Sequence, residues 1–328
     1  NVSTCLSHAG MSSKADNSEL LKYQLQQLLS DDIRLVINGA SGWLGSNISE
    51  TLYSIYGECL RKNILLTASS NKLLRLRNKI EVPVHEWSKV LLEEFAPTHI
   101  VQLAFKTRDH VKKLPSSEYL RINKEIISSA NWMISLPSVK GFLHTSSGAV
   151  CDTNADNFEL NPYGYLKRLE EHEFETSSID FNTNYLGVRV WSTSGAYIKT
   201  GGLLAIESLV TQALTGNIIS IESTRPTYRT YADANEILIA SLIGLLKGKT
   251  GLYNSGGFEI EIGGLAQIIS ELMPEITHNI IRTEYHLTEE DRFCSNDPSI
   301  ESFLLELGLT FSDVPGQVRK TMEFLKEV

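Results

Sequence analysis

Apolar residues along this chain follow two rhythms. Residues 18–29, SELLKYQLQQLL, space their leucines at helical intervals, which predicts a short leading helix. Beyond it, short continuous apolar runs recur: IRLVIN at 33–38, NILLTA at 63–68, IEVPV at 80–84, HIVQLA at 99–104, KGFLHTSS at 140–147 and YLGVRVW at 185–191. Mostly helical segments separate them. Runs of this kind read as buried strands, and their alternation with helices predicts a parallel sheet with right-handed crossovers and helices on both faces. After residue 195 the rhythm breaks into a helix around 203–215, a short strand at NIISIES and an apolar helix near 234–247. A strand and turn at GLYNSGG (251–257), a helix in EIGGLAQIISELM and a closing helix, VPGQVRKTMEFLKEV, follow. The expected fold class is α/β: a doubly wound parallel sheet with a smaller, mostly C-terminal α/β lobe.

The first strand ends at Asn38 and runs into three glycines, Gly39, Gly42 and Gly45, before a helix starting near Trp43. Such a turn aims backbone N–H groups and the positive end of a helix at one point, which suits a pyrophosphate. Gly39 permits the tight turn, Gly42 admits the phosphates and Gly45 lets helix and strand approach, with Ser41, Trp43 and Leu44 completing the loop. A glycine-rich connection without a ligand is the competing reading of the motif alone; its place at the head of a strand-helix series favours the ligand. The second strand ends in Thr67-Ala68-Ser69-Ser70-Asn71-Lys72, with no carboxylate to hold a ribose diol. Hydroxyls at Ser69 and Ser70, with Lys72 and Arg75 nearby, favour NADP, with NAD as the alternative. Lys72 and Arg75 read equally as a solvated helix face. The expected organisation is an N-terminal extension over 1–31, a Rossmann dinucleotide-binding domain over 32–195 and 229–258, and a substrate lobe over 196–228 and 259–328.

Composition narrows the partners. The 328 residues are 42% hydrophobic and 21% charged, an ordinary globular balance, and the net charge of -9 without a clustered Lys/Arg stretch argues against nucleic acid or an anionic membrane. Four cysteines, Cys5, Cys59, Cys151 and Cys294, lie far apart, which suggests neither a disulfide framework nor a metal site and favours a cytoplasmic setting. Residues 1–16 are polar, without the basic start and apolar core of a signal segment. The longest apolar run, ILIASLIGLL, is too short to span a bilayer.

The chemistry concentrates after the fifth strand. LHTSSGAVCD (143–152) ends that strand, and NPYGYLKRLEE (161–171) opens a helix with Asn161 as cap and Pro162 at its first position. Tyr163 and Lys167, four apart, share a helix face. An ammonium beside a phenol stabilises the phenolate, so such a tyrosine can exchange a proton with a hydroxyl or carbonyl. Ser147 is placed to hold the same oxygen, and Ser146 and Tyr165 are the alternatives.

These pieces in this order resemble the extended short-chain dehydrogenase/reductases, the nucleotide-sugar epimerase, dehydratase and reductase group, from about residue 32 to the C-terminus. The matching stretches are NGASGWLG, VQLA with Asn123 downstream, HTSSGAV, YGYLK, GVRVWSTSG, YRTYADANE, and LYNSGG followed by EIGGLAQ. The resemblance implies Ser147, Tyr163 and Lys167 as catalytic residues with Asn123 in support, and Leu103 and Ala104 beside the cofactor. Hydride then moves between nicotinamide and a sugar carbon, the tyrosine passes the proton, and the lysine also binds the nicotinamide ribose. It further implies a nucleotide-linked sugar as substrate, with Ser147, Gly148 and Arg229 on the substrate side, and a homodimer through helices around 116–136 and 161–178. ISSANWMI offers apolar positions for that dimer face or for packing on the sheet.

Departures from the family pattern shape the expectation. Ser146-Ser147-Gly148 stands where dehydratases carry an acidic pair, which disfavours elimination of water; Ser192 replaces an asparagine, and Cys151-Asp152 replaces Tyr-Gly. The expected function is an NAD(P)-dependent epimerase or 4-ketoreductase. The alternative is a dinucleotide-sensing or scaffold protein that keeps the fold without turnover. Around the site, Glu86 or Trp87 could line an adenine pocket or serve as cap or core. His144 is expected as a core histidine, Glu170, Glu171, Glu173 and Glu175 as a solvated helix face, and Cys151 as a buried thiol. For Arg229 a surface salt bridge is the competing reading.

Overall fold

A computed structural model describes residues 17–201, 204–282, 284–287 and 289–327; Cys5 and the first half of the expected N-terminal extension lie outside the described residues. After helix α1 (Asn17–Leu28) come β1 (Leu35–Asn38), α2 (Trp43–Tyr56), the one-turn α3 (Leu60–Asn63), β2 (Ile64–Ala68), β3 (Lys72–Arg75), β4 (Glu81–Glu86), α4 (Lys89–Phe95) and β5 (His99–Gln102). Next are α5 (Ser116–Ile134), β6 (Gly141–Ser147), α6 (Pro162–Asp180), β7 (Asn184–Val190) and β8 (Ser192–Ser194). The remainder runs α7 (Ala205–Thr215), β9 (Ile218–Ile221), β10 (Thr227–Asp233), α8 (Ala234–Leu246), β11 (Gly251–Asn254), β12 (Phe258–Glu261), α9 (Ile262–Glu271), β13 (Asn279–Arg282), β14 (Asp291–Phe293), α10 (Glu301–Leu305) and α11 (Val314–Glu327).

Eight strands form the main sheet in the order β11-β7-β6-β5-β1-β2-β4-β3. All neighbours are parallel except β3, which runs antiparallel to β4 at the edge. The apolar runs are strands because each is buried: β1, β2, β5 and β6 are covered along their whole length. The sheet carries one apolar layer against α1, α2 and α8 and another against α4, α5 and α6. ILIASLIGLL lies in α8, buried almost throughout, and no helix among the described residues is long and apolar enough to cross a membrane.

Strand β3 corrects the expectation of a helix face at Lys72 and Arg75. Both side chains are exposed on an edge strand, paired with Val84 and Glu81. Between the parallel β2 and β4 the chain carries this antiparallel edge strand in place of a crossover helix.

A four-stranded sheet, β12-β10-β14 with β8 on β10, and a parallel pair β9–β13 make the smaller lobe, whose core is built by α7, α9 and α11. The boundary expected at 229 falls inside β10, which belongs to the small sheet, while α8 and β11 carry the chain back to the large one. In α5, Ile127, Ala130, Met133 and Ile134 of ISSANWMI are buried against the sheet. Its outward positions Arg121, Lys124, Glu125 and Ser128 are polar and exposed.

Candidate active site

Strand order reverses between β1 and β5, which opens a crevice at their carboxyl ends, and the glycine turn sits in that crevice. Gly39 has φ +91°, and a Cβ there would lie 2.6 Å from the Ala104 nitrogen, so Leu103 and Ala104 press directly on the turn. A Cβ on Gly45 would lie 2.2 Å from the Gly39 oxygen. Helix α2 starts after Gly42 without any side-chain cap, so its first N–H groups point into the crevice. Backbone brought this close beneath an uncapped helix end is a cradle for a pyrophosphate, and these residues fit the dinucleotide that the turn implies. Ser41 and Leu44 are half-buried in the same turn.

The Trp43 indole leaves the turn and donates to the Ala196 carbonyl at 2.9 Å, which Asn47 also reaches at 2.9 Å. Ser69 and Ser70 are exposed beyond the end of β2. His85 and Glu86 pair with Thr67 and Ala68, and Trp87 packs in the apolar layer under α4 and α5.

Ser147 ends β6 and accepts from the Ala149 N–H at 3.2 Å, capping a single 3-10 turn. Opposite it, Asn161 caps α6 as expected, accepting from the Gly164 N–H at 2.8 Å, with Pro162 in the first turn. Lys167 is buried; its ammonium donates to the Thr145 carbonyl at 3.0 Å, pairs with Glu170 at 2.8 Å and lies 3.9 Å from the centre of the Phe105 ring. Tyr163 meets that ring edge-on at 5.8 Å and 71°. Phenol and ammonium therefore converge on Phe105, a residue the sequence reading missed although it directly follows VQLA. Asn123 is fully buried and pins the loop after β5, accepting from the Lys106 N–H at 2.9 Å and donating to the Tyr119 carbonyl at 3.2 Å.

Behind this group the acidic run of α6 overturns the expected solvated face. Glu170 and Glu171 are buried, whereas Glu175 is exposed. Glu171 takes Arg189 through two nitrogens at 2.9 and 2.8 Å and the Ser146 hydroxyl at 2.6 Å. Ser146 is thereby withdrawn from the crevice. Glu170 takes Lys167 and, at 3.2 Å, Nε2 of His144, whose Nδ1 lies 3.3 Å from the Tyr185 hydroxyl. A carboxylate accepts, so Nε2 of His144 donates to Glu170. Burial pushes the Glu170 carboxyl up, but Lys167 and His144 together pull it below its ordinary value. The run stays at the surface only where no cation or imidazole faces it, and periodicity alone does not reveal that.

A cavity of about 740 Å³ separates this wall from the small lobe. Gly148, Cys151 and Tyr163 line one side; Arg229, Asp291 and Phe293 line the other. Its volume falls in the range of small-molecule sites. Arg229 lines the cavity and pairs with Asp291 at 2.9 Å, the salt bridge weighed for it, and that hydrogen bond holds the Asp291 carboxyl below its usual range. A Cβ on Gly148 would run into the Trp191 ring at 2.5 Å. Cys151 is exposed on the wall, which corrects the expected buried thiol.

The family model described as NAD dependent epimerase/dehydratase family matches residues 35–254. Among solved structures, UDP-N-acetylglucosamine 4-epimerase from Methanobrevibacter ruminantium, in complex with UDP-N-acetylmuramic acid, superposes with a TM-score of 0.69 at 18% identity, covering 90% of this chain and 98% of that one. UDP-glucose 4-epimerase from Thermotoga maritima with UDP-glucose gives 0.67 at 17% identity over 90% and 99%. The dTDP-glucose 4,6-dehydratase of Bacillus anthracis in complex with NAD gives 0.66 at 16% over 90% and 97%. No curated protein sequence matches. At these identities the likeness is one of fold.

Proposed function

The chain belongs to the NAD dependent epimerase/dehydratase family, and from that premise we propose that it is an epimerase or 4-ketoreductase of a nucleotide-linked sugar. The observation that carries this reading is the convergence of Tyr163 and Lys167 on Phe105 at the wall of a cavity that Ser147's neighbour Gly148 also lines. Nicotinamide, when bound, supplies hydride acceptance and return. Tyr163 moves the proton to or from the sugar oxygen, Ser147 holds that oxygen, and Lys167 keeps the phenolate stabilised and binds the cofactor ribose. Asn123 fixes the loop that carries Phe105. Arg229, whose planar guanidinium suits phosphate oxygens, binds the diphosphate from the opposite wall. Gly39, Ser41, Gly42, Trp43, Leu44 and Gly45 hold the dinucleotide pyrophosphate against Leu103 and Ala104.

The residues after Thr145 are serines and glycine, which supports epimerisation or reduction over elimination. Ser69, Ser70 and Lys72 beyond β2, with no carboxylate among them, support NADP, with NAD as the alternative; calorimetric affinities for the two decide between them. Co-purified nicotinamide favours the epimerase, and consumption of NADPH with a 4-keto nucleotide-sugar favours the reductase. The test of the whole reading is Tyr163→Phe: turnover of a responsive nucleotide-sugar falls by about 10²–10⁴-fold while dinucleotide affinity stays within twofold of the parent. Full activity in that variant ends the catalytic assignment, whereas a parent protein that binds dinucleotide without any turnover favours the dinucleotide-sensing alternative. A homodimer through α5 and α6 is part of the proposal, and its interface would be polar, built around Arg121, Lys124, Glu125, His172 and Glu175; light scattering reads the mass.

A further inference from the structure

Glu170 is fully buried, and one of its oxygens, Oε1, has no hydrogen-bond partner among the described residues. A half-satisfied carboxylate is a poor structural strut, since the desolvation it suffers is not fully offset. The strut at this point is its neighbour Glu171, which takes Arg189 and Ser146. Lys167 would still have the Thr145 carbonyl and the Phe105 face without Glu170. The carboxylate therefore has another consequence, which follows from where it stands. Residues 163, 167 and 170 lie on one face of α6, with the lysine between the phenol and the acid.

We propose that Glu170 is a positioning residue for Lys167: its buried carboxylate, backed by His144, holds the ammonium as one half of a neutral pair and so weakens the pull of that ammonium on a Tyr163 phenolate. This rests on the roles given above to Tyr163 and Lys167. The groups that face Glu170 are few. From β6 comes His144, and from β7 come Tyr185 and, beyond it, Arg189, which is engaged by Glu171. From α5 comes Tyr119, close enough to feel both Tyr163 and Glu170. Burial first, then neighbouring carboxylates or phenol, push both Tyr119 and Tyr185 up, so neither supplies charge near neutrality. Among the described residues Glu170 is the carboxylate paired with Lys167, and it sets the balance there.

Tyr163 and Glu170 stand seven positions apart on α6, about 10 Å along the axis. A unit charge at that distance and an effective dielectric of ~20 changes proton affinity on the order of tenfold. The test is NMR titration of the full chain carrying ¹³Cζ-tyrosine, with Tyr163→Phe identifying the resonance. In Glu170→Gln the Tyr163 signal moves at a pH about one unit lower than in the parent, a roughly tenfold change. A midpoint that stays put or rises overturns the proposal. Should the amide fail to fold by circular dichroism, Glu170→Met fills the volume with an apolar chain and is read the same way. The titration needs no turnover, so its failure is distinct from failure of the nucleotide-sugar reading, which the Tyr163→Phe rates address.

Discussion

The Ser146 hydroxyl donates to the Glu171 carboxylate across 2.6 Å, in a pocket that Arg189 closes from the other side. Its neighbour Ser147 accepts from the Ala149 N–H, and in the function proposed above its own proton reaches the sugar oxygen. The two adjacent serines, indistinguishable by residue type, are separated by the alternation of the strand.

Ser147→Ala and Ser146→Ala should therefore differ in kind. The first lowers kcat by about 10²-fold or more with little change in the denaturant midpoint. The second costs on the order of 1–3 kcal/mol of stability by stripping a donor from a buried carboxylate. Equal effects on rate and equal effects on stability would contradict the division.

The glycine turn separates folding from binding. Gly45→Ala places a methyl 2.2 Å from the Gly39 oxygen and 2.6 Å from Ala40, backbone that cannot yield, and should destabilise the protein by about 1–3 kcal/mol. A Cβ at Gly42 stands 3.4 Å from its nearest neighbour, the same oxygen, so Gly42→Ala should fold with a near-parental Tm. It should still bind dinucleotide at least tenfold more weakly, because the proposed pyrophosphate site needs the open space at Gly42. Thermal melts with calorimetry check both.

Asp233 gives a pH dependence of definite sign. Burial, reinforced by Glu236, pushes its carboxyl from 3.8 to about 6. The folded state therefore holds this proton where the unfolded chain has lost it, so the contribution to stability is complete below about pH 4 and is lost as the pH rises through 6. Asn keeps the oxygen that caps α8 toward the Asn235 and Glu236 N–H groups, at 3.0 and 3.1 Å, without the proton. Between pH 5 and 7.5 the parental Tm should fall relative to that of Asp233→Asn; parallel curves would remove Asp233 as the cause.

Cys151 offers a direct probe of the cavity. Because it is exposed on the cavity wall, a maleimide should modify it in the native protein, and UDP-glucose at saturating concentration should slow that modification several-fold. A Cys59→Ser background removes the other exposed thiol among the described residues. Labelling indifferent to the ligand would place nucleotide-sugar binding elsewhere.

Much of the fold was legible because the main strands are buried along their length and so announce themselves as unbroken apolar runs. The glycine turn and the cap at Asn161 were legible for a similar reason: each backbone geometry admits few residue types. Strand β3 was not, since an edge strand with one buried residue, Leu74, carries no pattern to distinguish it from a polar helix face. Nor was the burial of Glu170 and Glu171, because their partners His144 and Arg189 sit on strands far away in sequence. Phe105 escaped notice because an isolated aromatic has no spacing to read. Cys151 was expected inside because free thiols are commonly buried, but it stands exposed at the end of a single 3-10 turn.

The carbonyl of Ala196 receives both Trp43 from the glycine turn and Asn47 one turn further along the same helix. The next residue continues the grip, Tyr197 reaching Glu50 at 3.1 Å, so the chain enters the small lobe already fastened to the helix that begins at the glycine turn. In the proposed function, retention of one ligand and shaping of the other thus share a single mechanical joint. Mutational drift there would be felt at both ends of the reaction at once, which leaves breadth of substrate choice to be explored from the far wall.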